Sequence, residues 1–215
     1  MRRIESFACL LVRVTLAVMV IGVLLPSLAQ DDLYGPSAPP DAGWVRALNA
    51  EASGGLGIRI ANGPLESVAF GDATPYHAIA PGDVRIDIGG DVTTVEVEAG
   101  TFVTVVATVD GPLVIEDTPL IDVSRGLLAL YNLTQIESLE LLVVDGPSVV
   151  SGVVPWSQAA VAVAEAEVAL EVRAGDEVIG SLDARTFDRG VAHSIIVLEG
   201  QDGPVVRYLK AVAAE

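Results

Sequence analysis

One stretch of this chain occurs twice. Trp44-Val45-Arg46-Ala47-Leu48-Asn49-Ala50 leads into Leu56-Gly57-Ile58-Arg59-Ile60-Ala61-Asn62-Gly63-Pro64. At one constant offset the chain reads Leu127-Leu128-Ala129-Leu130-Tyr131-Asn132-Leu133, then Leu139-Glu140-Leu141-Leu142-Val143-Val144-Asp145-Gly146-Pro147. Asn49 falls on Asn132, Ile58 on Leu141, and the turn Asn62-Gly63-Pro64 on Asp145-Gly146-Pro147. A gapless match over two strand-like runs and a turn means that one folding unit is used twice.

The runs themselves have the period of strands. Leu56, Ile58 and Ile60 alternate with Gly57, Arg59 and Ala61, and Val84, Ile86 and Ile88 alternate with Arg85 and Asp87. Gly89-Gly90-Asp91, Ala99-Gly100 and Asp110-Gly111-Pro112 punctuate them as turns. Short runs of period two bounded by Gly and Pro read as half-buried antiparallel strands, five to seven of them in the first unit. Val168, Leu170 and Val172 repeat Val84, Ile86 and Ile88, and Asp202-Gly203-Pro204 repeats Asp110-Gly111-Pro112. Ala159–Leu170 has the Ala and Glu content of a helix, but its aligned partner contains Pro81-Gly82, so a strand is expected. The fold class is therefore all-β: two tandem antiparallel β-sandwich domains related by internal duplication. The expected divisions are 44–119 for the first sandwich, 120–125 for a linker and 126–215 for the second, with apolar Leu120 and Ile121 helping the pair to pack.

Residues 1–29 read as a secretory signal peptide. Arg2 and Arg3 precede an apolar run from Phe7 to Leu25, and Ser27-Leu28-Ala29 fits a cleavage site, with cleavage after Ala29. An uncleaved N-terminal anchor is the alternative, since Arg13 interrupts the apolar run. Residues 30–43 hold Pro36, Pro39 and Pro40 and read as a linker. The expected location is periplasmic, with no membrane-spanning segment after cleavage.

The chain carries a formal net charge of −17, and Lys210 is its only lysine. Such a surface opposes nucleic acid, which needs clustered Lys and Arg. It also repels a polyanionic polymer at long range, although screening limits that reach to about 10 Å at 0.1 M salt. A basic protein partner is favoured instead. The single cysteine, Cys9, lies in the leader, so the mature unit has no thiol chemistry. His77 and His193 are the only histidines and have no metal-ligand spacing between them. No Gly-x-Ser-x-Gly elbow is present, and the turn aspartates do not follow a calcium-loop pattern. No catalytic residue, metal or cofactor is expected, and both histidines read as non-catalytic side chains. Asn132-Leu133-Thr134 matches a glycosylation sequon.

Loop aromatics remain as candidate contact residues: Trp156 first, then Tyr76 and Tyr34. An aromatic ring on a sandwich loop stacks on the C–H face of a sugar. The alternative use of such rings is packing in a core or between domains.

Leu33-Tyr34-Gly35-Pro36-Ser37-Ala38-Pro39, followed by Trp44-Val45-Arg46-Ala47-Leu48-Asn49-Ala50, resembles the start of the alginate biosynthesis AlgF family. Asp83–Val106 is compatible with the same pattern, so the likeness extends over the leader, the linker and both units. The resemblance implies a periplasmic two-domain β protein without catalytic residues of its own. It implies an adaptor in O-acetylation of alginate or a similar exopolysaccharide, set among a membrane acetyl-donor protein, periplasmic acetyltransferases and the polymer. The acidic excess favours protein partners over direct capture of the polymer. A tandem carbohydrate-binding module acting on its own is the second reading, and an acetyl-carrying Ser or His the third.

Overall fold

The computed structural model describes Pro39, residues 41–51 and residues 54–211. The expected signal peptide, most of the 30–43 linker and Tyr34 lie outside the described residues. Within them every regular element is a strand. The first half contains β1 (Gly43–Asn49), β2 (Leu56–Ile60), β3 (Glu66–Val68), β4 (His77–Ile79), β5 (Gly82–Ile88), β6 (Asp91–Val97), β7 (Phe102–Ala107) and β8 (Leu113–Asp117). The second contains β9 (Gly126–Leu133), β10 (Leu139–Val143), β11 (Ser148–Val153), β12 (Ser157–Val163), β13 (Ala166–Ala174), β14 (Glu177–Phe187), β15 (Ala192–Gly200) and β16 (Gly203–Lys210). The Ala- and Glu-rich stretch is two strands, β12 and β13.

The topology repeats strand for strand. The first half folds as sheets β4-β1-β7-β8 and β3-β2-β5-β6, the second as β12-β9-β15-β16 and β11-β10-β13-β14. Each half buries its own apolar core between its two sheets. Pairing is antiparallel except that β1 lies parallel to β7 and β9 parallel to β15. Alternation fixes which face a side chain takes, not the direction of the neighbouring strand. Both parallel pairs are closed by a long excursion through the other sheet, which is the connection a parallel pair needs.

The repeated asparagines tie the sheets of each half together. Asn49 Nδ2 donates to the carbonyls of Val68 (3.0 Å) and Gly54 (2.8 Å). Asn132 Nδ2 donates to those of Val153 (3.0 Å) and Ile136 (2.7 Å). Asn132 is fully buried by these bonds, which removes the sequon as a surface feature. The central strands start alike too. A Cβ on Gly43 would stand 2.4 Å from Glu98 O, and one on Gly126 2.7 Å from Asp188 O, so only glycine lets the passing backbone this close.

The inner sheets of the two halves pack on each other. A third apolar cluster joins Leu48, Val106 and Ile115 to Ala129, Tyr131, Leu133, Ile196 and Leu198. β1 and β9 are therefore covered on both faces. That is why all eight residues of β9 are buried, whereas β5 alternates buried with more accessible positions. β8 belongs to this seam through Leu113 and Ile115, while Ile121, expected to help the halves pack, is exposed.

Candidate functional site

Period two places Val45, Ala47 and Asn49 toward the interior of the first half and Trp44, Arg46 and Leu48 toward the second. Parallel β7 repeats the division in register, with Trp44 beside Phe102, Arg46 beside Thr104 and Leu48 beside Val106. On the opposing face Ala129 and Tyr131 from β9 lie in register with Ser194 and Ile196 from β15. The seam thus runs from an aromatic mouth, through a polar middle, to an aliphatic end.

The polar middle is buried. Arg46 is only 2% exposed, and its Nε donates to Thr104 Oγ1 at 2.9 Å. One terminal nitrogen, Nη2, donates to the Tyr131 hydroxyl at 3.0 Å and to Ser194 Oγ at 3.3 Å, both from the second half. Asp117 accepts from the hydroxyls of Tyr76 (2.7 Å), Thr104 (2.5 Å) and Tyr131 (2.5 Å). The Arg46 guanidinium also lies 4.6 Å from the Tyr76 ring centroid, in cation–π range. Burial works against the Arg46 charge, yet Tyr131, Tyr76 and Asp117 outweigh it and raise its pKa. Burial, with Asp117 nearby, raises both phenols well above the ordinary tyrosine value. Both therefore stay protonated and donate. The network is a buried arginine and carboxylate bridged by hydroxyls from both halves, and it fixes the seam rather than presenting a reactive group. At the edge of the seam Gln158 Nε2 on β12 donates to Glu116 O (3.2 Å) and Thr118 Oγ1 (3.0 Å).

The aromatic mouth is open. Trp44 stacks on Phe102 at 5.7 Å, and Tyr76 meets Phe102 edge-on at 5.4 Å. With Leu120, Ala192 and Ala211 they line an apolar cavity of about 260 Å³ spanning both halves. Arg46, Thr74, Tyr76, Leu209 and Lys210 line a second cavity of about 260 Å³ on the other side of Tyr76.

Tyr76 is thus at the cleft, as a phenol anchored on Asp117. Trp156 lies in the β11–β12 turn with φ 55° and packs partly buried against the seam cluster. The structure does not bring Trp156 and Tyr76 together as one ring platform. Sequence reasoning missed Trp44, Phe102, Arg46, Thr104, Asp117, Tyr131 and Ser194. The signal available was the uninterrupted apolar run 127–131, which marks a strand covered on both faces and so a packed seam. Nothing local marks Asp117 as the partner of Arg46.

Among the described residues the histidine side chains bond Glu66, Tyr208 and the Asp188 carbonyl. His193 is buried, with Nδ1 2.8 Å from the Tyr208 hydroxyl, and burial lowers its pKa. Its neighbour Ser194 points to the opposite face of β15, into the seam. His77 pairs with Glu66 at 2.9 Å. Among the described residues no cluster of His, Cys, Asp and Glu fits a metal ion.

A family model described as "Alginate O-acetyl transferase AlgF" matches residues 16–194. The alginate biosynthesis protein AlgF of Pseudomonas syringae pv. tomato is 28% identical over 171 residues, covering 78% of this chain and 76% of the relative. Its counterpart from Pseudomonas putida is 27% identical over 167 residues, covering 77% of each. A solved structure of the C-terminal domain of AlgF from P. aeruginosa matches with 24% identity and a TM-score of 0.37, covering 40% of this chain and 98% of that one. With the family model spanning most of its length, this chain belongs to the AlgF family of alginate biosynthesis proteins.

Proposed function

We propose that this protein is a periplasmic, non-catalytic adaptor in alginate O-acetylation, and that it holds an acetyl-transfer protein at the Trp44–Phe102 cleft. The observation that carries this reading is the cleft itself. It is a half-open, ring-lined cavity spanning both halves above a polar network that holds its walls in place. Partly buried aromatic rings of this kind anchor protein interfaces. The net charge of −17 suits a partner with a basic rim around an apolar anchor. Acyl transfer through the protein itself would need a nucleophile within reach of a base. Ser194, by contrast, accepts from Arg46 and is 3% exposed, while His193 faces the other way.

The test is a deletion strain complemented with the wild-type chain or with Trp44→Ala/Phe102→Ala. Deletion should leave polymer yield intact and remove its acetyl groups. The double variant should fold, fail to restore acetylation and fail to retain a periplasmic partner in a tagged pull-down. Unchanged acetyl content on deletion refutes the adaptor role, and full partner capture by the variant refutes the cleft as its surface.

A further inference from the structure

Tyr76 is the wall between two cavities, and the adaptor reading uses only the aromatic one. The other, of about 260 Å³, lies between the halves, with Arg46, Ala73, Thr74, Pro75, Leu209 and Lys210 in its lining. Arg46 reaches it from the buried network of the seam. Its Nε donates to Thr104 and its Nη2 to Tyr131 and Ser194, all of them neutral hydroxyls. Asp117 is linked to the guanidinium only through the Thr104 and Tyr131 hydroxyls. Arg46 takes part in none of the ion pairs among the described residues.

Nη1 is left with no hydrogen-bond partner among the described residues. It is not sealed in either. Among the described residues Gln158 Oε1 is the one side-chain nitrogen or oxygen that is both unpartnered and closed off from solvent. A side chain only 2% exposed therefore turns an unused pair of N–H groups into the cavity that it lines.

The rest of the lining suits an anion on a short stem. No Asp or Glu lines the cavity among the described residues. The Thr74 and Tyr76 hydroxyls are committed, donating to Pro75 O at 2.9 Å and to Asp117 at 2.7 Å. Leu209 packs in the seam cluster, so its neighbour Lys210 sends its side chain to the other face, where Asp188 holds the ammonium at 3.0 Å. β16 is an edge strand, and the Ala211 amide donates to Ala192 O at 2.8 Å. Antiparallel pairs alternate between bonded and unbonded, so the Lys210 amide points away from β15, to the edge that borders the cavity. Ala73, Pro75 and Leu209 supply an apolar wall.

A buried guanidinium with a free edge favours a charged acceptor, because charge-assisted hydrogen bonds are roughly twice as strong as neutral ones. A carboxylate brings two oxygens, one for Nη1 and one for the Lys210 amide. Sulfate or phosphate would bring a second negative charge to a site whose other free donor is neutral. The volume lies below the range of drug-sized ligand pockets, which leaves room for a stem of a few carbons. We propose that this cavity binds a free short-chain monocarboxylic acid, Arg46 Nη1 holding its carboxylate and the Ala73–Pro75–Leu209 wall its alkyl stem. Arg46 bonds to both halves, so the occupied site ties them together, and stability rises with the concentration of the acid by mass action.

The site is separate from the Trp44–Phe102 cleft and is tested without any protein partner, so it stands or falls apart from the adaptor reading. The ¹⁵N-labelled protein is titrated at constant ionic strength with sodium butyrate, sodium formate, butyramide and sodium sulfate, following the Arg46 Nε–Hε signal. Butyrate should shift that signal saturably and raise the melting temperature. Formate, which has no stem, should bind more weakly, and neither uncharged butyramide nor sulfate should saturate. Ala73→Leu narrows the cavity, leaves every Arg46 side-chain bond in place and should weaken butyrate on the order of tenfold or more. Arg46→Met should abolish the butyrate-dependent rise in melting temperature, whatever its own baseline. An Arg46 signal unmoved by butyrate overturns the proposal. So does formate, butyramide or sulfate binding as tightly as butyrate, or Ala73→Leu binding butyrate like the wild type. A capped Ala-Glu-Ala peptide binding more tightly than butyrate also overturns it, since the site would then take a carboxylate borne on a protein chain.

Discussion

Asp117→Ala removes the acceptor of three hydroxyls at once, those of Tyr76, Thr104 and Tyr131. It also leaves Arg46, 2% exposed, without its carboxylate. Arg46 and Asp117 are bridged through hydroxyls and not paired directly, but losing the carboxylate leaves a buried guanidinium charge uncompensated, which on the scale of a broken buried pair costs about 3–5 kcal/mol. The three lost hydrogen bonds are the same energy seen from the other side and are not added to it. In a chain of this size about 1 kcal/mol moves Tm by about 2–4 °C, so the melting point should fall by roughly 6–20 °C. The loss falls on the seam, since Tyr131 comes from the second half. Urea unfolding followed by tryptophan fluorescence is the assay, because the two tryptophans, Trp44 and Trp156, are both at the seam. Arg46→Met/Asp117→Leu removes both charges and should cost less than the sum of the single losses, the remainder coming from the Tyr76, Thr104 and Tyr131 hydroxyls left without their acceptor. A cost below about 1 kcal/mol for Asp117→Ala, or a double variant as unstable as the two single losses summed, refutes the coupling.

Two further outcomes follow from the same contacts. Asn49→Ala and Asn132→Ala each strand two carbonyls, so each should cost about 1–3 kcal/mol in urea unfolding, and by similar amounts because the ties are duplicates. For His193, burial lowers the pKa from its ordinary 6.5, partly offset by Asp188, so the fold holds it neutral where the unfolded chain takes up a proton. Its stability contribution is therefore present above about pH 6.5 and is lost as pH falls toward the folded value. His193→Gln should flatten the slope of stability against pH in that window, and an unchanged slope would count against the assignment.

The duplication and the all-strand class were legible because the offset is constant over the two opening strands and their turn and the period is two. The helix-like composition of Ala159–Leu170 was resolved correctly by its aligned partner. The three-residue strands β3 and β4 were not read, being too short to show alternation. β8 follows Asp110-Gly111-Pro112 as β16 follows Asp202-Gly203-Pro204, but its short run Leu113–Asp117 shows too little alternation to be read alone. Strand direction escaped because side-chain alternation does not encode it. The site was least legible. Arg46 has the spacing of an exposed strand residue, and only the opposing sheet, far along the chain, turns that position inward. Of the loop rings, Tyr76 reached the cleft and Trp156 went to packing, while the rings that define the mouth, Trp44 and Phe102, stand at strand starts.

The duplicated halves meet through faces that have ceased to be duplicates. Trp44, Arg46 and Leu48 correspond to Leu127, Ala129 and Tyr131 in the repeat. Two copies of the first half pressed together in this way would set guanidinium against guanidinium, with no phenol from Tyr131 to bridge either to its aspartate. Self-recognition of the first half is therefore penalised relative to mating with the second. Covalent tethering raises their mutual effective concentration to the millimolar range, so closure within one molecule outcompetes exchange between molecules even where many copies crowd one compartment.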